Sequence, residues 1–163
     1  MFGAITMNTE FIKELGYMVV AFSNLEKELQ GLCGSQIKGT GKNYIANIIT
    51  SEYSFKQLIK VTRSVLIKTE HIDKCPHNLF NRLNAIEDER NKIIHSYYGL
   101  DIHDGAIIRN KNKNRPHGHI IDMVKISFED VSKLVNDMKK IERELQVIKH
   151  KVTKRVGKLP PLK

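Results

Sequence analysis

Phe11, Leu15, Met18, Phe22, Leu25, Leu29 and Leu32 follow one another at steps of four and three residues. That heptad-like stripe predicts a long helix lying along a second helix. Gly31 and Gly34, ahead of the polar stretch "GSQIKGTGKN", predict where it ends. A short apolar piece follows from Tyr44 to Ile49. A second stripe begins at about Ser54 and carries Phe55, Leu58, Ile59, Thr62, Val65 and Leu66. Pro76 suits the first turn of a third helix, which extends to about Ser96.

After Ser96 the period changes. In "YYGLDIHDGAIIRN", Asp104 and Gly105 separate two short β-prone runs, a hairpin signal. Beyond the polar loop "KNKNRPHGH", the run "HIIDMVKI" supplies a third strand. Ser127 and Asp130 stand at capping-box spacing and open a last helix, with the stripe Val131, Leu134, Val135, Met138, Ile141, Leu145 and Ile148. The expected fold is mainly α: an antiparallel bundle of four to five helices with a small β-hairpin inserted before the last. No repeat or internal linker divides the chain, so residues 1–150 are read as one domain. From Lys149 onward come Lys151, Lys154, Arg155, Lys158 and Lys163, with Gly157, Pro160 and Pro161 and no acidic residue. Residues 151–163 are therefore read as a basic, disordered tail.

Composition narrows the class of protein. A chain of 163 residues, 40% apolar and 28% charged, can bury a core of its own. No secretory signal is recognisable, and the longest apolar run near the start, Met18 to Phe22, is far too short to cross a bilayer. Two cysteines, Cys33 and Cys75, do not make a disulfide framework, which points to a reducing cytoplasm. A net charge of +9 favours an anionic partner, nucleic acid first.

Several apparent motifs carry no chemistry. "KGTGKN" fails as a phosphate loop, because Thr40 stands where Gly34 and Gly39 would require Lys, and Asn43 follows Lys42. His71, Cys75 and His77, or His117 and His119, lack the paired spacing of a zinc site and read as exposed loop residues, so no metal or other cofactor is expected. No Gly-x-Ser-x-Gly elbow is present, and neither cysteine sits in a motif for nucleophilic work.

The third helix is different. At about 100° per residue, Leu79, Leu83, Ile86, Ile93, Ile94 and Tyr97 share one arc, which should face the core. Arg90 lies in the middle of that arc. His95 is about 140° further round, on a stripe with Asp88 and Asn91. A guanidinium aimed at a core must be paired and hydrogen-bonded, or must snorkel outward. Glu26 and Glu28 are the carboxylates considered as its partners, and the ordinary reading of His95 is a helix-end residue favoured by the dipole. The functional reading is that Arg90 holds an anionic group at a cleft and His95 moves protons near neutral pH.

"RNKIIH", Arg90 to His95, resembles the signature of the HEPN superfamily: Arg, four to six residues, then His, commonly with a polar residue such as Asn91 after the Arg. HEPN domains are compact helical domains that include many prokaryotic ribonucleases, and the resemblance covers roughly residues 8–150. It implies a metal-independent endoribonuclease, a toxin or defence effector, that dimerises and joins two copies of the motif in one cleft. Cleaving RNA through its own 2′-hydroxyl needs a base, an acid and a cation for the phosphorane charge. His95 would be the general base or acid, Arg90 would stabilise the phosphate, and Asn91 would orient His95 or the phosphate. Lys111, Lys113, Arg115 and the basic tail would hold the RNA backbone.

Arg90, His95 and Tyr97 also match the Arg-x4-His-x-Tyr motif of HEPN toxins whose nucleotidyltransferase antitoxin adenylylates the Tyr. Tyr97 then has two readings, as a modification site or as a core aromatic. Two further functions stay open for the whole chain: a non-catalytic HEPN-like module for dimerisation or RNA or nucleotide binding, and a regulator that grips nucleic acid with the hairpin and tail.

Overall fold

The structure, a computed structural model, describes residues 9–37, 48–101, 103–115 and 118–153, with 111–115 and 118–120 described at the backbone. It is mainly helical, with a small antiparallel sheet ahead of the last helix. Helix α1 spans Thr9–Gln36, α2 Phe55–Lys68, α3 Leu79–Ile94 and α4 Phe128–Thr153. Residues 48–51 are helical as well. The Tyr44–Ile49 piece falls only partly within the described residues, and Ile48 and Ile49 there are exposed.

Each stripe predicted from periodicity lines one core. Phe11, Met18, Leu25, Leu29 and Leu32 of α1 meet Leu58 and Leu66 of α2, Leu79 and Leu83 of α3, and Val131, Met138 and Leu145 of α4, all fully buried. Direction follows from the side-chain contacts. Lys56 beside Glu87 and Arg63 beside Phe80 set α3 antiparallel to α2. Phe11 against Tyr98, with Phe22 against Arg90, does the same for α1 and α3. Arg82 grips Glu144 of α4 through two bonds, 2.8 and 2.9 Å. By contrast, α1 and α4 run in the same direction, with Glu28 held by Lys149 at 2.8 Å. The sheet returns the chain to the end where α1 begins, so antiparallel packing is confined to α3 and its neighbours.

Two helix boundaries differ from the pattern. Helix α1 continues through Gly31 and Gly34 to Gln36 because tertiary partners reward its last turn. Cys33 and Gln36 are buried, and the Lys149 side chain crosses Gly31, where a Cβ would come within 3.2 Å of Nζ. Gln36 Oε1 receives His71 Nδ1 at 2.6 Å and Thr69 Oγ1 at 3.3 Å. His71 is thus a half-buried structural residue rather than an exposed loop histidine. Helix α3 begins three residues after Pro76, whose carbonyl accepts the Leu79 N–H, and it stops at Ile94 rather than Ser96. The other starts follow local capping: Ser54 and Gln57 form a capping box for α2, and Ser127 and Asp130 one for α4. Helix α4 runs to Thr153, so Lys149 and Lys151 belong to the fold, while the rest of the tail, 154–163, lies outside the described residues.

Strands β1 (Tyr97–Leu100), β2 (Ile107–Arg115) and β3 (Gly118–Lys125) pair in the order β1-β2-β3, antiparallel throughout. The expected polar loop over "KNKNR" is instead the second half of β2, paired with β3 through the backbone. At the Asp101–Ala106 turn, Gly105 takes φ +70°, the left-handed conformation that costs glycine nothing. Lys125 closes this turn by bridging Asp101 and Asp104 at 3.1 and 2.6 Å, which lowers the Asp104 pKa and raises that of Lys125. Among the described residues no helix is long and apolar enough to cross a membrane.

Candidate functional site at the end of helix α3

Helix α3 buries Leu79, Phe80, Leu83, Ile86 and Ile93. Arg90 lies on the same side, and its charge is accommodated by a ring, not by either carboxylate considered from the sequence. Its Cζ sits 4.7 Å from the centroid of Phe22 on α1, a cation–π distance. Glu28 is taken by Lys149. Arg90 Nη1 donates to Asn91 Oδ1 at 2.9 Å, so the adjacent Asn fixes the plane of the guanidinium. The buried Nε has no hydrogen-bond partner, and among the described residues Arg90 makes no ion pair. A guanidinium has five N–H donors in a fixed fork. Held on a ring by one neighbour's amide, this one keeps donors for an incoming anion.

His95 is the residue at which α3 ends, with φ −98° and ψ 31°, and its N–H still bonds the Asn91 carbonyl at 3.2 Å. The ring is exposed and has no hydrogen-bond partner among the described residues. The next carbonyls of the helix end are closed by side chains: Ser96 Oγ donates to Lys92 O, and Tyr98 Oη donates to Ile93 O at 2.7 Å. Two serial caps from the chain immediately after His95 therefore fix where the imidazole leaves the helix.

Tyr98, not Tyr97, is the inward aromatic. Once the chain turns extended at β1, successive side chains alternate, and Tyr98 meets Phe11 edge-on at 5.7 Å while Tyr97 is 73% exposed. The core-aromatic reading of Tyr97 is thereby overturned, and Ile94, placed on the same arc, is also exposed. Burial pushes the Tyr98 hydroxyl up to about 12, with Arg109 opposing. An unfolded Tyr titrates near 10, so this contribution to stability is complete below about pH 10 and is lost as pH rises to about 12. Tyr98→Phe should cost about 1 kcal/mol, the net worth of one hydrogen bond, and should flatten the alkaline loss of stability in that window. Chemical denaturation across the range measures both.

Lys111, Lys113 and Arg115 occupy alternate positions of β2, which places them on one side of the strand, opposite Asp122, Ile120 and Gly118 of β3. Arg109 shares their parity and was missed. Its signal was the same two-residue spacing, hidden because the stretch read as a loop. Its Nε is buried without a partner, and it lines a cavity of about 430 Å³ beside α3 with Glu89, Ile93 and Lys133. Glu87, one turn before Arg90, was also missed. Burial raises its pKa, while Lys56 and Arg90 oppose that shift. Cys75 is a poor nucleophile, pushed up to about 11 by burial and by Asp73. Among the described residues no three potential metal ligands gather.

No family model matches the chain, and no curated protein or solved structure matches it.

Proposed function

We propose that this chain is a metal-independent endoribonuclease of the HEPN type, a cytoplasmic toxin or defence effector that works as a homodimer. The observation that carries the reading is the state of Arg90: a guanidinium held on Phe22 and by Asn91, with an unpaired Nε and no carboxylate within ion-pair distance among the described residues, in the last turn before an exposed His95. An Arg kept merely for structure would be expected to spend its donors on a carboxylate.

In the proposed reaction His95 takes the proton of an RNA 2′-hydroxyl, and O2′ attacks the adjacent phosphorus. The bond from phosphorus to the 5′ oxygen breaks, that oxygen accepts a proton from the imidazolium of His95 in a second copy, and a 2′,3′-cyclic phosphate remains. Arg90 neutralises the phosphorane, Asn91 holds Arg90, and Lys111, Lys113 and Arg115 grip flanking phosphates. The dimer is supported by a second apolar stripe on α1. Ile12, Val19 and Val20 are exposed beside Gly16, and Val19 lies about 60° from Phe22 around the helix, next to the ring that Arg90 covers. The exposure of Tyr97 suits modification by a nucleotidyltransferase antitoxin.

Purified protein should cut single-stranded RNA with EDTA present, and should fail on an RNA whose scissile ribose lacks the 2′-hydroxyl. Cleavage that needs a divalent ion, or that survives the 2′-deoxy substitution, would exclude this mechanism. The rival reading is a non-catalytic HEPN-like dimerisation or RNA- or nucleotide-binding module. The unpartnered ring of His95 favours it, because among the described residues nothing hydrogen-bonds the imidazole to orient it. Salt-sensitive RNA binding without cleavage would decide for it.

A further inference from the structure

We infer that the cavity between β2, α3 and α4 is a binding site for a small phosphomonoester with an apolar or aromatic body, its phosphate taken by Arg109 and Lys133. The site is separate from the proposed ribonuclease centre: Arg90, Asn91 and His95 do not line it, and the inference stands whether or not RNA is cut.

The cavity, about 430 Å³, lies where the sheet meets the end of α3 and the start of α4. Arg109 reaches it from β2, on the face of the sheet that carries Tyr98 and Val124. Its Nε is buried and has no hydrogen-bond partner. A buried N–H left without an acceptor is costly. The cross-strand neighbour Tyr98 already occupies the Ile93 carbonyl, at 2.7 Å, so the helix end does not supply one. A ligand oxygen in the cavity would. The Nε–Nη edge of a guanidinium presents two parallel donors, which match the oxygens of a phosphate or a carboxylate.

The charges of the wall decide between those two. Each of its carboxylates is engaged: Glu89 with Lys92, Asp137 with Lys140 at 3.2 Å, and Asp130 in the capping box with Ser127. Lys125 is held by Asp101 and Asp104. Arg109 and Lys133 are the two charged groups of the wall with no ion pair among the described residues. Two free positive charges suit a phosphomonoester, which carries about −1.5 to −2 near neutral pH, better than a carboxylate with one. The wall is otherwise apolar, with Ile93 and Ile126 buried and Leu134 half-buried. Pockets of this size and lining take a small organic molecule rather than a bare ion.

The probe is phenyl phosphate, titrated calorimetrically into the full chain. Saturable binding is expected. Arg109→Gln should weaken it roughly 10- to 150-fold, the loss of a hydrogen bond between charged groups. Lys133→Gln should weaken it roughly 2- to 5-fold, the contribution of an exposed charge. Inorganic phosphate, benzoate and phenol should each bind more weakly than phenyl phosphate. No saturable binding by the parent, or unchanged binding in Arg109→Gln, would overturn the inference. So would inorganic phosphate or benzoate binding as tightly as phenyl phosphate, which would remove the need for the carbon body or for the second charge. Binding lost in Arg90→Gln but kept in Arg109→Gln would move the ligand to the proposed ribonuclease centre, and would also overturn it. Should Arg109→Gln fail to fold, Lys133 decides, because its side chain is exposed and Lys133→Gln disturbs no packing. Weakened binding in that variant sustains the site, and unchanged binding removes it.

Discussion

In the proposed ribonuclease, His95→Ala should lower RNA cleavage by about 10²–10⁴-fold, while leaving stability within about 0.5 kcal/mol of the parent. The two halves of this expectation come from one fact: the imidazole is exposed and bonds to nothing among the described residues. Its removal opens no cavity and strands no polar group. The backbone of residue 95 still donates to the Asn91 carbonyl, and Ser96 and Tyr98 still close the helix end. Arg90 is a less clean target, because its guanidinium also packs on Phe22 and binds Asn91, so Arg90→Ala would mix lost chemistry with lost packing. A gel assay with a thermal melt on the same sample reads both quantities. Cleavage that survives His95→Ala removes His95 from the mechanism.

Leu145→Ala should have the largest effect on stability. Leu145 is fully buried on the α4 face that packs along α1, the most extensive helix contact in the fold. Truncating such a leucine removes transfer energy and leaves a void, costing about 2–5 kcal/mol, against a total of about 5–15 kcal/mol for a domain. At this chain length each 1 kcal/mol moves the melting temperature by about 2–4 °C. Circular dichroism melts of the two proteins give the difference. A cost below about 1 kcal/mol would mean that the α1–α4 seam can collapse around the missing side chain.

The bundle was legible because it rests on local rules. The stripes of α1, α2 and α4 repeat at helical spacing, Ser127 and Asp130 announce the start of α4, and Asp104-Gly105 marks the tight turn. What was illegible depends on distant residues or on a change of period. Nothing near Gly31 says that Lys149 will lie across it and carry α1 on to Gln36. A rotation of 100° per residue carried past Ile94 would put Tyr97 on the core arc, but the helix has already ended there. The strand's two-residue alternation then selects Tyr98 instead. The second half of β2 has no apolar alternation to betray it, since its pairing is carried by the backbone. For Arg90, the need for a partner could be read from its place on the arc. Phe22 could not be identified as that partner, because an aromatic face leaves no charge signature in a sequence.

The parallel seating of α4 on α1 has a consequence in time. Glu28 and Lys149 are 121 residues apart in the chain. During synthesis at about 5–20 residues per second, α1 leaves the ribosome roughly 6–24 s before the matching turn of α4 exists. Helices α2 and α3 can cover Phe22, Leu25 and Leu29 only in part during that interval. The nascent chain therefore carries an unfinished apolar seam, and its vulnerability to aggregation ends when the last helix docks.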